Sequence, residues 1–456
     1  MDSRPELGAQ AKRFAPALRH LITLIDVNIA ELPLRRLEVI RGADAMWKFL
    51  FFMVFLLVGC GGDGGYYDMV PPEALEMRED FGGIAIADFN GDGLNDIAVG
   101  SETLEDRQLI DESVSIYFQH ADSPGSFQAP RRFESLPGGS LTRVLVADDC
   151  QRDGLPDLIT TNWSEGGFRV LINDPQQPGT FIPSVHYDVG TANSTFGRSH
   201  GVGDIDADGF DDVVIVNHDS VQWLAQDSQH LGTYKGPSLI GEGRDDVQLG
   251  DVNGDGLLDV VVLGVDGETS QSVLVYYNDT GSPGRFLTPH RLVISDYANY
   301  AGVADYDGDG RTDIAIFGNE VRMYELGPAF VVIFRQTQPG RFSRSNVTYT
   351  GGNAILTAFE TAHLDDDRFP DLVIQEGPII RIMESNALAT PTLRLELTVP
   401  SDPESYSLGT GRLSIGDLNN DTLDDIAIIH SGLYVFFRRA GNELAFEEAV
   451  KLNTPL

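Results

Sequence analysis

Asp251-Val-Asn-Gly-Asp-Gly-Leu-Leu-Asp259 places oxygen-bearing side chains at its first, third, fifth and ninth positions. A hard cation such as calcium takes about six to eight oxygens at roughly 2.3 to 2.6 Å, and alternate residues of a tight loop can converge on one ion. Gly256, at position six, has no Cβ to oppose a positive φ. Leu257, at position seven, need offer only its backbone carbonyl, and Asp259 closes the shell. An EF-hand loop starts in the same way but ends on a glutamate at position twelve and lies between helices. Position twelve here is Val262, and the flanks Val247-Gln-Leu-Gly250 and Val260-Val-Val-Leu263 are short, apolar and β-branched, which predicts strands. The unit reads strand, metal loop, strand.

The chain repeats that unit, and the period is the first thing to settle because it sets the fold. Copy one has Asp88, Asn90, Asp92 and Asp96, with Leu94 supplying the carbonyl; copy two has Asp149, Gln151, Asp153 and Asp157 with Leu155, and a spare Asp148 just ahead. Copy three, Asp204, Asp206, Asp208 and Asp212 with Phe210, and copy five, Asp305, Asp307, Asp309 and Asp313 with Arg311, are the most acidic. Copy four is the quoted stretch, with Asp251, Asn253, Asp255, Leu257 and Asp259 as candidate ligands. Copy six is eroded: His363 stands at position one and Arg368 at position six, leaving Asp365, Asp367 and Asp371 as weak candidates. Copy seven keeps Asp417, Asn419, Asp421 and Asp425 with Leu423, but Thr422 replaces the glycine. First positions fall at 88, 149, 204, 251, 305, 363 and 417, a mean spacing of about 55 residues.

The rest of each period repeats more loosely. An apolar strand follows the loop (Ile97-Ala-Val99, Val213-Val-Ile-Val216, Ile314-Ala-Ile-Phe317), then an alternating one (Val114-Ser-Ile-Tyr-Phe118, Val273-Leu-Val-Tyr-Tyr277, Tyr434-Val-Phe-Phe437). A turn then leads to an aromatic residue, as in Pro124-Gly-Ser-Phe127, Pro178-Gly-Thr-Phe181, Pro283-Gly-Arg-Phe286 and Pro339-Gly-Arg-Phe342. Runs apolar on both faces suit strands packed between neighbouring sheets, and the alternating ones predict a sheet with one wetter side. Four short strands per period, repeated radially, predict an all-β fold: a seven-bladed β-propeller of four-stranded blades with calcium-binding loops.

These loops, with Phe81-Gly82 and Phe196-Gly197 ahead of two of them, resemble the FG-GAP and VCBS repeats of integrin α-chain propellers and many bacterial surface proteins. The resemblance covers roughly residues 80 to 450 and implies calcium in the blade loops, here about four to six ions, and a role in adhesion or recognition. The departures in copies two, six and seven are where occupancy is least expected.

The propeller is expected over residues 71–456. Ahead of it, Met46-Trp-Lys48 precedes eleven apolar or small residues, too few for the roughly 20 that span a bilayer. A charged start, a short apolar run and small residues at the end describe a signal peptide at 46–59. Leu57-Val-Gly-Cys60 resembles the bacterial lipobox, which implies a diacylated Cys60 as the mature N-terminus, a flexible tether at 60–70, and an exported lipoprotein held to a membrane. Gly61 favours outer-membrane sorting in that family. An ordinary signal peptide with an incidental cysteine is the alternative. Residues 1–45 are expected to be an untranslated or unfolded extension; the rival reading is an amphipathic segment over Ala17–Ile40, interrupted by Pro33.

The chain has 32 Lys and Arg against 69 Asp and Glu. Without the eight basic and six acidic residues of positions 1–59, its net charge is −39, which excludes nucleic acid as a natural partner. Of the carboxylates, 23 occupy positions one, three, five and nine of the loops, where like charges repel unless a cation offsets them. With Cys60 assigned to lipid, Cys150 has no partner for an intrachain disulfide.

Enzyme signatures are scarce. Gly197-Arg-Ser-His-Gly201 matches G-x-S-x-G, but that turn must lead into a helix, and here a metal loop begins at Asp204. His186, His200, His218 and His290 could meet only at the central channel or a face. The reading is a lipid-anchored, calcium-binding module that recognises a surface protein or glycan through loops away from the metal. Candidate contact segments are Glu102–Glu112, Asn162–Phe168, His186–His200 and Glu242–Asp246, with Trp163 and Tyr187 as anchors. The alternative is a polysaccharide lyase or hydrolase on the same scaffold.

Overall fold

The computed structural model describes residues 78–452 apart from 106–107, 135–141, 163–166, 190–196, 218–219, 267–269, 295–296, 323–324, 351–355, 366, 388–389, 401–411, 431 and 442. The readings at the signal-like run, Cys60, the tether and Trp163 lie outside these residues. In the described residues every regular element is a strand.

Blade four shows the plan. Val247–Gly250 runs to the aspartate-rich loop, Asp259–Asp266 leaves it, Ser270–Tyr276 returns, and His290–Ile294 lies outermost, all antiparallel and in chain order. Each second strand begins on the ninth loop residue, as in Asp96–Glu105, Asp313–Arg322 and Asp425–Ile429. Seven such sheets form, each in chain order; blade five adds the short strand Thr348–Tyr349, and in blade one a small hairpin of Gln119–His120 with Ser123–Phe127 intervenes between the third and fourth strands. The same small pairing recurs where the turn meets its aromatic residue: Gln119 with Phe127, Asn173 with Phe181, Gln226 with Tyr234, Asn278 with Phe286, Gln336 with Phe342 and Arg438 with Phe446.

No sheet holds a core of its own. The buried apolar residues fall into seven clusters, each drawn from two neighbouring blades. Val261, Val273 and Val275 of blade four meet Ile314, Ile316 and Val332 of blade five, while Val260, Val262 and Leu274 turn the other way to meet Val214 and Val216 of blade three. The last cluster joins Ile97, Val99 and Tyr117 of blade one to Ala427, Ile429 and Val435 of blade seven, so the ring closes. Closure needs no exchanged strand, because the seventh sheet takes its fourth strand, Val450–Leu452, from its own end of the chain. The reading that Tyr66–Leu75 adds a strand lies outside the described residues.

The alternating third strands are not wet on one side. Ser113, Ser115 and Ser272 are as buried as the valines beside them, since both faces of a third strand pack on neighbouring sheets. Exposure falls instead on the fourth strands, where Ile182, Leu239, Val293, Leu393 and Val450 reach solvent. Glu102–Glu112 is not a loop but the end of a hairpin whose strands run to Glu105 and resume at Gln108.

Amides after the third strand tie blades together. Asn278 Nδ2 donates to the carbonyls of Leu258 in its own blade (3.1 Å) and Ile205 in the previous one (2.7 Å), and its Oδ1 accepts from Gly284 N (2.9 Å). Asn173 does the same with Pro156, Phe89 and Gly179. Asn95 Nδ2 donates across the closing seam to the Asp417 carbonyl (3.0 Å). Each buried group left without its partner costs about 1 to 3 kcal/mol. Asn278→Ala is therefore expected to lower unfolding free energy by about 2 to 4 kcal/mol in chemical denaturation; a loss under about 0.5 kcal/mol would mean that water replaces the amide.

Candidate metal centres

The loop begins with local wiring. Asp251 Oδ1 accepts from Gly254 N (2.6 Å) and Asp255 N (3.0 Å), its Oδ2 accepts from Gly256 N (2.8 Å), and Asp255 Oδ1 accepts from Leu257 N (3.0 Å). Loops one, two, three, five and seven repeat this capping through Asp88, Asp149, Asp204, Asp305 and Asp417. The arrangement needs left-handed backbone at positions four and six, seen at Gly254 (φ 80°) and Gly256 (φ 89°). Loop seven adopts it with Asn420 (φ 60°) and Thr422 (φ 70°), so the missing glycine is tolerated at a steric cost of about 1 to 2 kcal/mol. Ala207 and Arg152 show that position four, which sequence reading passed over, carries the same demand.

Position two was also passed over. Phe89, Cys150, Ile205, Val252, Tyr306, Leu364 and Leu418 are all 0 or 1% exposed, and each plugs the cluster shared with the next blade. Cys150 thus serves as a small core residue, and burial pushes its thiol pKa up.

Position nine has a second role. Asp259 is fully buried; Oδ2 accepts from Val252 N (3.1 Å) and Oδ1 from Asn278 N (2.9 Å), so one carboxylate joins the start of the loop to the end of the third strand. Asp96, Asp212, Asp313 and Asp425 make the same pair of bonds. Each oxygen keeps a lone pair for a cation. In loop two, Asp157 Oδ1 accepts from Asn173 N (2.7 Å), but its buried Oδ2 has no hydrogen bond of normal geometry, and a cation would satisfy it.

Ligand atoms converge most closely in three places among the described residues: Asp204, Asp206 and Asp208; Asp305, Asp307 and Asp313; and Asp365, Asp367 and Glu384, each within 4.8 Å of one another. These acidic clusters can hold a metal ion. Loops one, two, four and seven have an amide at position three and form no such triplet of carboxylates. Glu384 comes from the third strand of blade six, beyond the reach of any loop spacing. Asp148 accepts weakly from Cys150 Sγ (3.4 Å), and burial followed by the charge of Asp211 in loop three raises its pKa.

Among the described residues, His186, His200 and His290 stand on strands of three different blades. His186 and His290 lie on outermost strands, the latter beside Tyr277 (3.2 Å). His200 lies on an innermost strand, buried, with burial pulling its pKa to about 4. His218 is outside the described residues. Tyr187 is not a free anchor: it stacks on Phe168 (5.0 Å) and meets Tyr234 edge-on (5.5 Å) in the core between blades two and three. Asp245 and Asp246 are likewise buried, with Asp246 Oδ2 accepting from Ala301 N (2.8 Å). Gly197–Gly203 is a strand running into loop three, which leaves Ser199 off any nucleophile turn.

Three overlapping stretches, residues 149–215, 204–262 and 251–316, match the FG-GAP-like repeat family. Each runs from the first aspartate of one loop to the second strand of the next blade. No curated protein sequence matches the chain. Similar solved structures include an Agrocybe aegerita lectin that recognises non-reducing terminal N-acetylglucosamine, 19% identical over 74% of this chain and 87% of that one (TM-score 0.49). A protein from Lactobacillus plantarum is 14% identical over 70% and 85% (TM-score 0.45), and rhamnogalacturonan lyase YesW is 11% identical over 80% and 73% (TM-score 0.45). None of the three is near enough for a function to be transferred.

Burial, and then the charges of the same loop, lift the ninth-position carboxyls to about 7 at Asp96, Asp157, Asp212, Asp259 and Asp313. A carboxyl raised from its ordinary 3.8 binds protons more tightly folded than unfolded, so its stabilising contribution is complete below about 4 and lost as pH rises through about 7. The melting temperature in chelator is expected to fall between pH 5 and pH 8, roughly, and calcium to flatten that slope; equal slopes with and without calcium would place the ion elsewhere.

Proposed function

We propose that this seven-bladed β-propeller of FG-GAP-like repeats is a calcium-braced recognition module, exported and held to a bacterial membrane by lipid on Cys60, that binds a surface protein or a glycan. The observation that carries the calcium reading is the convergence of Asp204, Asp206 and Asp208, and of Asp305, Asp307 and Asp313, on points at one rim of the ring. Calcium at these loops would offset the carboxylate charge and hold the two inner strands of each blade at a set angle. Asp88, Asp149, Asp251 and Asp417, with their partners at positions three, five and nine, are the further ligand sets.

Support for recognition comes from how the two rims differ. On the metal rim, the turn between third and fourth strands packs onto the preceding loop: a Cβ at Gly284 would lie 3.1 Å from Asp206 Cβ, and one at Gly179 3.4 Å from Asn90 Cβ. That rim is braced from blade to blade. The opposite rim carries the connections between second and third strands and between blades, and loops on a rigid scaffold are where binding residues concentrate.

Two experiments test the reading. Each loop filled only in the folded state, at a hundredfold excess of calcium over its dissociation constant, adds about 2.7 kcal/mol. Melting in millimolar calcium is expected to exceed melting in chelator by many degrees, and superimposable melts would remove calcium from the account. For the ligand, the chain in calcium is incubated with immobilised bacterial and plant polysaccharides while newly released chain ends are assayed. Retention without release supports glycan recognition, silence in both directs the search to a protein ligand, and release of ends would overturn the binding-module reading in favour of an enzyme.

A further inference from the structure

Resting on the calcium reading of the other loops, we infer that blade six carries its own cation: the guanidinium of Arg394 holds the place of the metal ion, and loop six works without calcium. Arg394 lies on the outermost strand of that blade, Thr392–Thr398, and its Nη1 bonds Asp365 Oδ2 and stands 3.7 Å from Glu384 Oε2. Asp365 and Glu384 are two of the three residues of the only acidic cluster of blade six among the described residues. Their carboxylates gather as a metal site would, and a fixed positive charge already sits on them.

The rest of the loop agrees. His363 removes the position-one carboxylate that caps the loop amides elsewhere, and the caps that remain are Asp365 to Asp367 N (2.9 Å) and Asp367 to Phe369 N (2.7 Å). Arg368, at position six, does not take the left-handed backbone that this position has in the other six loops. Its guanidinium lies over the Phe369 ring, 4.9 Å from the centroid, and a Cβ at Gly308 of loop five would meet its Nε at 2.7 Å. Of the basic side chains in and around the loop, Arg394 is the one bonded to a loop carboxylate, that of Asp365. Meanwhile Asp371 keeps its structural bond to Leu364 N (3.1 Å), which preserves the blade without the ion. A guanidinium fixed by its own strand is always charged and needs no free ion.

The test counts bound calcium per chain by equilibrium dialysis and elemental analysis. Wild type and Asp365→Asn are expected to bind the same number of ions. Arg394→Gln is expected to bind one more, and Arg394→Gln with Asp365→Asn to return to the wild-type number. An ion lost on Asp365→Asn alone, or an unchanged count in a folded Arg394→Gln, would overturn the inference. A wild-type count of zero would instead overturn the calcium reading. The lock is then judged in chelator by a double-mutant cycle: coupling between Asp365 and Arg394 in melting temperature supports it, and additive effects of the two substitutions defeat it.

Discussion

The fold depends on burial between blades. A four-stranded sheet with two apolar faces is insoluble alone, and here each face is covered by the next sheet around the ring, so seven sheets produce seven shared cores and no free face. Second strands such as Asp371–Glu376 are buried along their whole length because they have a neighbour on either side. Polar exposure is left to the rims and to the short outer strands.

That constraint explains why the aspartate-rich loop is repeated so regularly. The loop turns the chain between the two inner strands while inserting its second residue, Phe89 in blade one or Tyr306 in blade five, into the core shared with the following blade. Its ninth residue fixes the loop to the end of the third strand, and an amide there reaches the preceding blade. Loop, strand and neighbour are joined within a few bonds. Charge balance at the loop is therefore also a matter of how firmly the ring holds, and the carboxylates are partly offset even by the loop's own amides.

Much of this is legible in the chain because its determinants are local. Alternate oxygens, a glycine at position six and β-branched flanks identify the loop; the spacing of its copies counts the blades; apolar runs identify the inner strands. Residues whose meaning depends on distant partners were read wrongly or not at all. Tyr187 reads as a surface aromatic until Phe168 and Tyr234 are found around it. Ser115, in an alternating strand, reads as solvent-facing until a second sheet covers it. His186, His200 and His290, which the sequence leaves free to meet at the channel or a face, separate onto inner and outer strands of different blades.

The sequence by itself determined the blade count, the order of strands and the positions where carboxylates gather, since each follows from a pattern within about a dozen residues. Tertiary structure alone decided which carboxylates converge, that position nine also clamps the third strand, that Asn95 seals the ring to blade seven, and that Arg394 stands over Asp365. The clamp, the seal and the Arg394 contact join residues from 13 to 322 positions apart in the chain, and only the folding of each blade and the closure of the ring bring them together.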